Sequence, residues 1–370
     1  MERILGKEQY IDSINKIMIG EHLKEEEAYR SLKQIYDIND EVKRTSLMVS
    51  ILFGSMVNKP SIYEVRGFIR ASLEIDGILN NKKEIDLDGK LIGLSGSGKK
   101  GFKTFNISTP SAIVACSLGA YVAKACSQST SSKTGSSDFL EMVGININLE
   151  NQKKEDCLRK YGLIFYSIEE TTPKFASLYG GKFYAPHSMS YCLAALSFPI
   201  KVDVNLYGLS NSNTRLSVEL LKSFNVKNAI VYSSTSDKTH YLDEIGVDGQ
   251  LIYSKLEDGE IIPEKKIDIQ KTFKFLGENS IENILEKQDK IENVAIAVKA
   301  LKGIGSKDAI NVICVNASLI LLASGIVENL LDGYHKSMGA IKSGIAYSRF
   351  CDIVKAYGGN LNDIEEKYLK

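Results

Sequence analysis

Residues 91 to 147 read LIGLSGSGKKGFKTFNISTPSAIVACSLGAYVAKACSQSTSSKTGSSDFLEMVGINI. Two short apolar runs, Leu91–Leu94 and Tyr121–Ala123, each pass into a loop dense in Gly, Ser, Thr and Lys, and each loop opens on a helical pattern. In a strand–loop–helix unit the loop's backbone N–H groups converge at the positive end of a helix dipole. Small hydroxyls and a lysine beside them complete a site for phosphate. One such run alone reads as a solvated surface loop; two in tandem with the same context point to phosphate binding.

Outward from this stretch, the same alternation continues. The apolar runs Leu163–Tyr166 and Ala229–Tyr232 are separated by helical patterns, with further helices at Arg215–Phe224 and Ile281–Leu301. Strand and helix in turn make an α/β fold with a mainly parallel central sheet. Residues 308–357 read as two or three helices, the first strongly apolar. Residues 1–78 carry helices only. Tyr10, Ile14, Ile17 and Met18 form one stripe; Lys24-Glu25-Glu26-Glu27 opens a second helix; Leu47 to Phe53 lie in a third, more apolar one, placed inside the domain or at a subunit contact. Pro60 stops the chain, and Ser61 with Glu64 makes a capping box for a fourth. The expectation is a small N-terminal helical bundle (1–78, joined by helices from about 186–200) and a larger α/β domain (79–370) that holds the phosphate site.

Of the 370 residues, 46 are Lys or Arg and 46 are Asp or Glu, so the formal net charge is zero. That argues against a protein held to nucleic acid or anionic lipid by bulk charge. No apolar run reaches the length of a membrane span, and MERILGKEQYIDS is neither signal nor transit peptide, so a cytoplasmic protein is expected. The six cysteines form no C-x-x-C pair and sit beside apolar residues, as reduced, partly buried thiols do.

The first loop, Gly96-Ser97-Gly98-Lys99-Lys100-Gly101, lets backbone approach a ligand closely and adds two cationic donors. It lacks the Gly-Lys-Ser/Thr of nucleotide-triphosphate loops. In Thr104-Phe105-Asn106-Ile107-Ser108-Thr109-Pro110, Ser108 or Thr109 can cap the next helix with Pro110 in its first turn. Asn106, Ser108 and Thr109 together exceed what a cap requires. Lys124 ends the second apolar run, ahead of a hydroxyl-rich loop through Ser136.

The phrase TFNIST, followed by an apolar helix, VAK and SSKTGSSD, resembles the signature of the anthranilate phosphoribosyltransferases, whose G-T-G-G-D-G loop stands where GSGKKG stands here. EVRGFIRA in the N-terminal helices and NVICVNASLILLASG with LLDGYHKSMGAIKSGIA near the C-terminus resemble the same family, so the likeness covers most of the chain. It implies 5-phosphoribosyl pyrophosphate (PRPP) as donor, Mg2+, and a homodimer joined through the N-terminal helices. It further implies that Gly96, Ser97, Gly98 and Lys99 line the pyrophosphate. Asn106, Ser108, Thr109 and Lys124 would hold phosphates and ribose, Ser136 the pyrophosphate side, and Ser108 would lie near the metal. Leu242-Asp243-Glu244-Ile245 matches the family's acidic pair, so Asp243 and Glu244 are the expected Mg2+ ligands.

The departures carry equal information. Lys99-Lys100 replaces a small residue and an acid, and Ala125-Cys126-Ser127 replaces the His and Asn that face anthranilate in the family. The stretch after Phe165 is rewritten, with no arginine placed to meet the anthranilate carboxylate. A site stripped of its polar partners binds its old substrate poorly, so a different small, nitrogen acceptor is expected. Lys182, Tyr184 and His187 are the polar candidates to contact it. The alternatives are a related nucleoside phosphorylase, or a non-catalytic relative binding a phosphorylated ligand or nucleic acid.

Overall fold

The computed structural model describes residues 8–98, 101–127, 135–274 and 281–370. Four helices open the chain: α1 (Gln9–Met18), α2 (Glu25–Tyr36), α3 (Glu41–Val57) and α4 (Ile62–Leu73). Ala28, Leu32 and Ile35 of α2 are buried with Val65, Phe68 and Ile69 of α4. The approach of these two helices depends on Gly67, whose missing Cβ would stand 2.8 Å from that of Ala28. The Ser61–Glu64 capping box forms, Ser61 N–H donating to Glu64 at 2.7 Å and Ser61 Oγ accepting the Glu64 N–H. In the α1 stripe Tyr10 and Ile17 are buried, whereas Met18 is 78% exposed. In the third helix Met48, Ile51 and Leu52 face inward while Val49 and Phe53 face out.

The sheet comprises β1 (Leu91–Gly96), β2 (Tyr121–Cys126), β3 (Leu163–Ser167), β4 (Val204–Gly208), β5 (Ala229–Thr235), β6 (Gln250–Glu257) and β7 (Glu260–Asp268). Strands lie in the order β3-β2-β1-β4-β5-β6-β7; the first five are parallel, the last two antiparallel. The chain winds outward from β1 through β2 to β3, then returns to the other side of β1 as β4. This reversal opens a crevice between the C-terminal ends of β1 and β4, where ligands of open α/β sheets bind. Strand β4 and the β6–β7 hairpin are additions to the sequence reading. Val204–Gly208 gives little signal because Asp203 and Asn205 break up its apolar run.

Between the strands run α5 (Ser108–Ser117), α6 (Ser136–Met142), α7 (Asn151–Tyr161), α8 (Ile168–Thr171), α9 (Pro173–Tyr179), α10 (Leu193–Leu196) and α11 (Thr214–Ser223). After the sheet come α12 (Ile269–Thr272), α13 (Lys290–Leu301), α14 (Lys307–Ser324), α15 (Leu330–Lys342), α16 (Ile345–Ala356) and α17 (Leu361–Ile364). The pattern expected to run as one helix over 281–301 breaks: residues 281–284 form a 3₁₀ turn, and α13 starts only at Lys290, capped by Asp289. Along β1, Ile92 and Leu94 join a core with α5 and α14. Tyr207 of β4 and Val231 of β5 face the other way, into a core shared with α2, α4 and α11. Helix α14 corrects one expectation, being long and apolar enough by length and composition to cross a membrane; but 72% of it is buried as a core helix of the α/β region.

Candidate active site

The ends of β1 and β4 are tied together across the crevice. Ser97 N–H donates to the Gly208 carbonyl at 2.9 Å, Ser210 N–H to Ser97 Oγ at 2.8 Å, and Ser210 Oγ to the Gly98 carbonyl at 2.6 Å. Gly98 holds φ +62°, a left-handed conformation that glycine adopts without strain. Its N–H donates to Asp243 Oδ2 at 2.9 Å. Asp243 sits in a cradle of two glycines: a Cβ on Gly96 would lie 2.6 Å from Asp243 Oδ2, and one on Gly208 would overlap the Asp243 carbonyl oxygen. The structure thus explains three glycines: Gly96 and Gly208 make room for the Asp243 segment, and Gly98 takes the left-handed conformation that turns its N–H to the carboxylate.

The segment after β5 carries that carboxylate and is fastened from three sides. Leu242 and Ser234 exchange backbone hydrogen bonds at 2.8 and 3.1 Å, and Ser234 Oγ donates to the Glu244 carbonyl at 2.6 Å. From α14, Asn316 accepts the Ile245 N–H at 2.9 Å and donates to the Ile245 carbonyl at 2.8 Å. Further out, Gly101 N–H donates to the Tyr241 carbonyl, and Phe102 lies against the His240 ring, 4.9 Å between centroids. His240 pairs with Asp237 at 2.6 Å. That bond, with the N–H groups of His240 and Thr239, holds the Asp237 carboxyl well below the usual range. Asp243 and Glu244 are both buried, and burial pushes the neighbouring Tyr232 hydroxyl well up, their negative charge adding to it.

At α5 the cap differs from the expectation. Asn106 Oδ1, rather than Ser108 or Thr109, accepts the Thr109 N–H at 3.1 Å. An Asn preceding the first turn satisfies an orphan N–H equally well, and the hydroxyls of Ser108 and Thr109 are then surplus to the cap. Thr109 Oγ1 is fully buried with no hydrogen-bond partner among the described residues. Lys124 pairs in register with Leu94 and Phe165; it is 4% exposed, and its Nζ donates to the Ala125 carbonyl at 3.0 Å. Ser136 Oγ accepts the Ser127 N–H at 3.1 Å, folding the start of α6 back onto the end of β2. Lys99 and the loop 128–134 lie outside the described residues.

Two of the three acceptor-side candidates, Lys182 and His187, are bonded within the protein, and the third, Tyr184, is exposed. Lys182 Nζ donates to the Ser177 and Leu178 carbonyls, both at 3.0 Å, and meets Glu41 of α3 at 3.2 Å. It closes the C-terminus of α9, a common task for lysine. His187 is 1% exposed, with Nε2 2.5 Å from Tyr179 Oη, at the end of a ladder of rings through Phe175, Tyr179 and Phe183. Tyr184 is 70% exposed. Cys126 is buried, and burial pushes its thiol up to about 11, so it is no nucleophile at neutral pH. None of the six cysteines is in a disulfide.

For a metal, no group of three or more His, Cys, Asp or Glu side chains closes on one point among the described residues. Asp243 and Glu244 offer adjacent hard oxygens in a cradle of glycines. That donor set fits magnesium, which takes one or two carboxylates and fills its octahedron with water and phosphate oxygens.

Comparison with known proteins follows the same lines. A sequence model of a glycosyl transferase family, its a/b domain, matches residues 88–347. An anthranilate phosphoribosyltransferase of Shewanella baltica is 30% identical over 290 residues, 76% of this chain and 77% of that one. The chain belongs to the anthranilate phosphoribosyltransferase family. A relative of the same name from Caldanaerobacter subterraneus is 29% identical over 93% of this chain and 97% of its own. Among solved structures, the enzyme of Saccharomyces cerevisiae in complex with PRPP and Mg aligns with a TM-score of 0.74 at 16% identity, covering 94% of this chain and 97% of that one. The Thermus thermophilus enzyme gives 0.73 at 21%, covering 94% and 99%. At these identities the structures establish the shared fold.

Within this member of the family, sequence reasoning missed Gly208, Ser210, Ser234 and Asn316. A signal existed for one of them. Asn316 is a polar residue inside the apolar run of α14, where an amide needs partners on a neighbouring segment.

Proposed function

We propose that this chain transfers 5-phosphoribosyl from PRPP to a small nitrogen nucleophile other than anthranilate, releasing pyrophosphate. The observation that carries this reading is the crevice at the reversal of strand order, where the Gly98 N–H holds the buried Asp243 carboxylate at the β1–β4 junction. As the bond from the anomeric carbon to the pyrophosphate oxygen breaks, positive charge grows on the ribose and negative charge on the departing group. The positive end of the α5 dipole opposes that negative charge, and Lys124 adds a cation at the strand end. Ser108 and Thr109, spared from capping by Asn106, offer hydroxyls to the 5-phosphate and ribose. Asp243 and Glu244 would hold magnesium, which when bound supplies charge neutralisation for pyrophosphate. The acceptor attacks the face of the ribose opposite the leaving group, and holding it there supplies much of the rate.

Departure from anthranilate rests on Ala125-Cys126-Ser127, which offers no imidazole or amide, and on the commitments of Lys182 and His187 to their own segment. We retain Tyr184 as the exposed polar group of that segment to contact the acceptor. The protein is assigned to the cytoplasm, with 1–78 as a helical domain and 79–370 as the donor-binding domain. A homodimer through the N-terminal helices is supported by an outward apolar face: Val42, Phe53 and Val57 of α3 are 81%, 48% and 65% exposed, with Met18 of α1 beside this bundle's surface. Apolar side chains gathered on one outward helix face mark an interaction surface.

The test is incubation with labelled PRPP, magnesium and a panel of amines that includes anthranilate, following pyrophosphate release. Release with another amine and little with anthranilate is expected. Absence of PRPP binding, together with no pyrophosphate from any acceptor, overturns the reading; efficient turnover of anthranilate overturns its acceptor half.

A further inference from the structure

A cleft of about 1080 Å³ opens at the opposite edge of the sheet from the active site, beside the N-terminal ends of β1, β4 and β5. Leu91 at the cleft and Gly96 at the active site stand at the two ends of one strand, about 16 Å apart. The size suits a small molecule. Its walls come from both stretches of chain that cross between the helical and α/β regions, and these stretches are bonded to each other. Lys83 N–H donates to the Pro199 carbonyl at 3.0 Å, and Lys201 N–H to the Lys83 carbonyl at 2.8 Å.

Leu79, Leu196, Phe224 and Val226 give the cleft an apolar side. Its charges are mostly committed elsewhere. Lys201 pairs with Glu84, and Asp203 Oδ2 accepts the Leu91 N–H at 2.7 Å. Two polar groups stand differently. Lys82 Nζ donates to the Leu196 carbonyl at 2.9 Å, a neutral acceptor that leaves two ammonium N–H groups to be met. Asn205 lines the cleft at 5% exposure, and its Oδ1 accepts no hydrogen bond among the described residues. A buried amide oxygen without a donor costs free energy that a ligand's N–H or O–H would recover after a small adjustment of the amide.

We propose that this cleft binds a small apolar monocarboxylate carrying a hydroxyl or amino donor, with its carboxylate on Lys82, its donor on Asn205 and its apolar body against Phe224 and Leu196. Three lysines (Lys82, Lys201, Lys227) against three acids (Glu84, Asp86, Asp203) leave the lining balanced, which suits a monoanion rather than a phosphate, a group that draws arginines or a helix N-terminus. Burial lowers the Lys82 ammonium to about 8, so a carboxylate arriving beside it restores the charged form. Binding therefore takes up protons above that pH. Because the ligand would touch both crossing stretches, it fastens the helical region to the sheet from behind.

Calorimetric titration of the full chain with 3-phenyllactate tests this, with 3-phenyllactamide and 3-phenylpropionate as the arms lacking the charge and the hydroxyl. Saturable binding of phenyllactate is expected, weakened about tenfold or more in Lys82→Gln and less in Asn205→Leu. Lys82→Arg should restore part of the affinity, and titrations at pH 9 in buffers of different ionisation enthalpy should report proton uptake. Thermal unfolding of each variant establishes that it is folded. Equal binding of phenyllactamide, unchanged affinity in Lys82→Gln, or loss of binding in the active-site variant Asp243→Asn would each overturn the proposal.

Discussion

The two flanks of the active-site crevice are built differently. On the donor flank, side chains and N–H groups are held by elements that the sheet fixes: Asp243 by Gly96, Gly98 and Gly208, and its segment by Ser234 of β5 and Asn316 of α14. On the flank of residues 168–200, short helices α8, α9 and α10 are held by contacts within the segment and by side chains reaching in from outside it, Glu41, Asp76 and Tyr207. Lys182 closes α9, His187 ends a ladder of rings, and Tyr207 Oη donates to the Ser190 carbonyl at 2.5 Å. A donor site held by the sheet keeps its shape when neighbouring segments are rewritten, whereas a flank that packs on itself can change its lining without disturbing the sheet. In the proposed function, acceptor choice drifts on the second flank for that reason.

The largest effect expected is from Asp243→Asn, which keeps a partner for the Gly98 N–H but removes the charge. We expect kcat/KM for PRPP to fall about 10²–10³-fold with the thermal midpoint nearly unchanged, measured by steady-state pyrophosphate release. Activity near that of the wild type would break the donor flank as described. Gly208→Ala should lose both properties together. Its Cβ overlaps the Asp243 carbonyl, so the segment must move, at a cost of about 1–3 kcal/mol in unfolding free energy and with loss of PRPP binding. Denaturant melts and PRPP titration read the two losses. An active, fully stable alanine variant would mean that the cradle is loose.

The contrast also explains what was legible in the chain. The donor loops announce themselves because phosphate binding demands glycines, hydroxyls and a lysine at strand ends, and those residues are close in sequence. The parallel sheet is legible for a related reason: strands buried on both faces are short apolar runs. Strand β4 escaped since Asp203 and Asn205 interrupt its run, and the two-glycine cradle escaped because Gly208 and Asp243 are joined only through tertiary contact. The cap of α5 was misassigned by two or three residues, a choice among Asn106, Ser108 and Thr109 that backbone dihedrals make and composition does not. Lys182 and His187 looked available because a sequence displays polar residues without their partners.

A subtler test of the donor flank is Asn316→Leu, which leaves the Ile245 N–H and carbonyl unpaired inside the protein. A cost of about 1–3 kcal/mol in stability is expected, with a higher KM for PRPP and a smaller change in kcat, since Asn316 positions the acidic segment rather than touching substrate. Equal losses in kcat and kcat/KM would instead assign it to the transition state. At the border of the flanks, Cys126 should resist iodoacetamide at pH 7–8. Its thiol is raised by burial to about 11, so the thiolate fraction at pH 8 is about 10⁻³ and grows tenfold per pH unit up to that value. Peptide mapping after alkylation of the native and the unfolded chain reads this directly; rapid native labelling would show the end of β2 to be open.

The smallest effects belong to the acceptor flank, and they sharpen the comparison by their division. Tyr184→Phe removes the exposed hydroxyl and should raise the acceptor KM about two- to tenfold, the worth of one hydrogen bond, leaving PRPP affinity alone. Lys182→Met removes a cap on α9 and the contact with Glu41, and should cost about 0.3–1 kcal/mol of stability with no change in acceptor KM. Both readouts come from one pair of experiments, an acceptor titration at saturating PRPP and a thermal melt. If Lys182→Met raised the acceptor KM while Tyr184→Phe did nothing, the lysine would have to leave the α9 carbonyls when substrate arrives. The flank that packs on itself would then reorganise around its ligand, and the difference between the two sides of the crevice would be one of mobility as well as of lining.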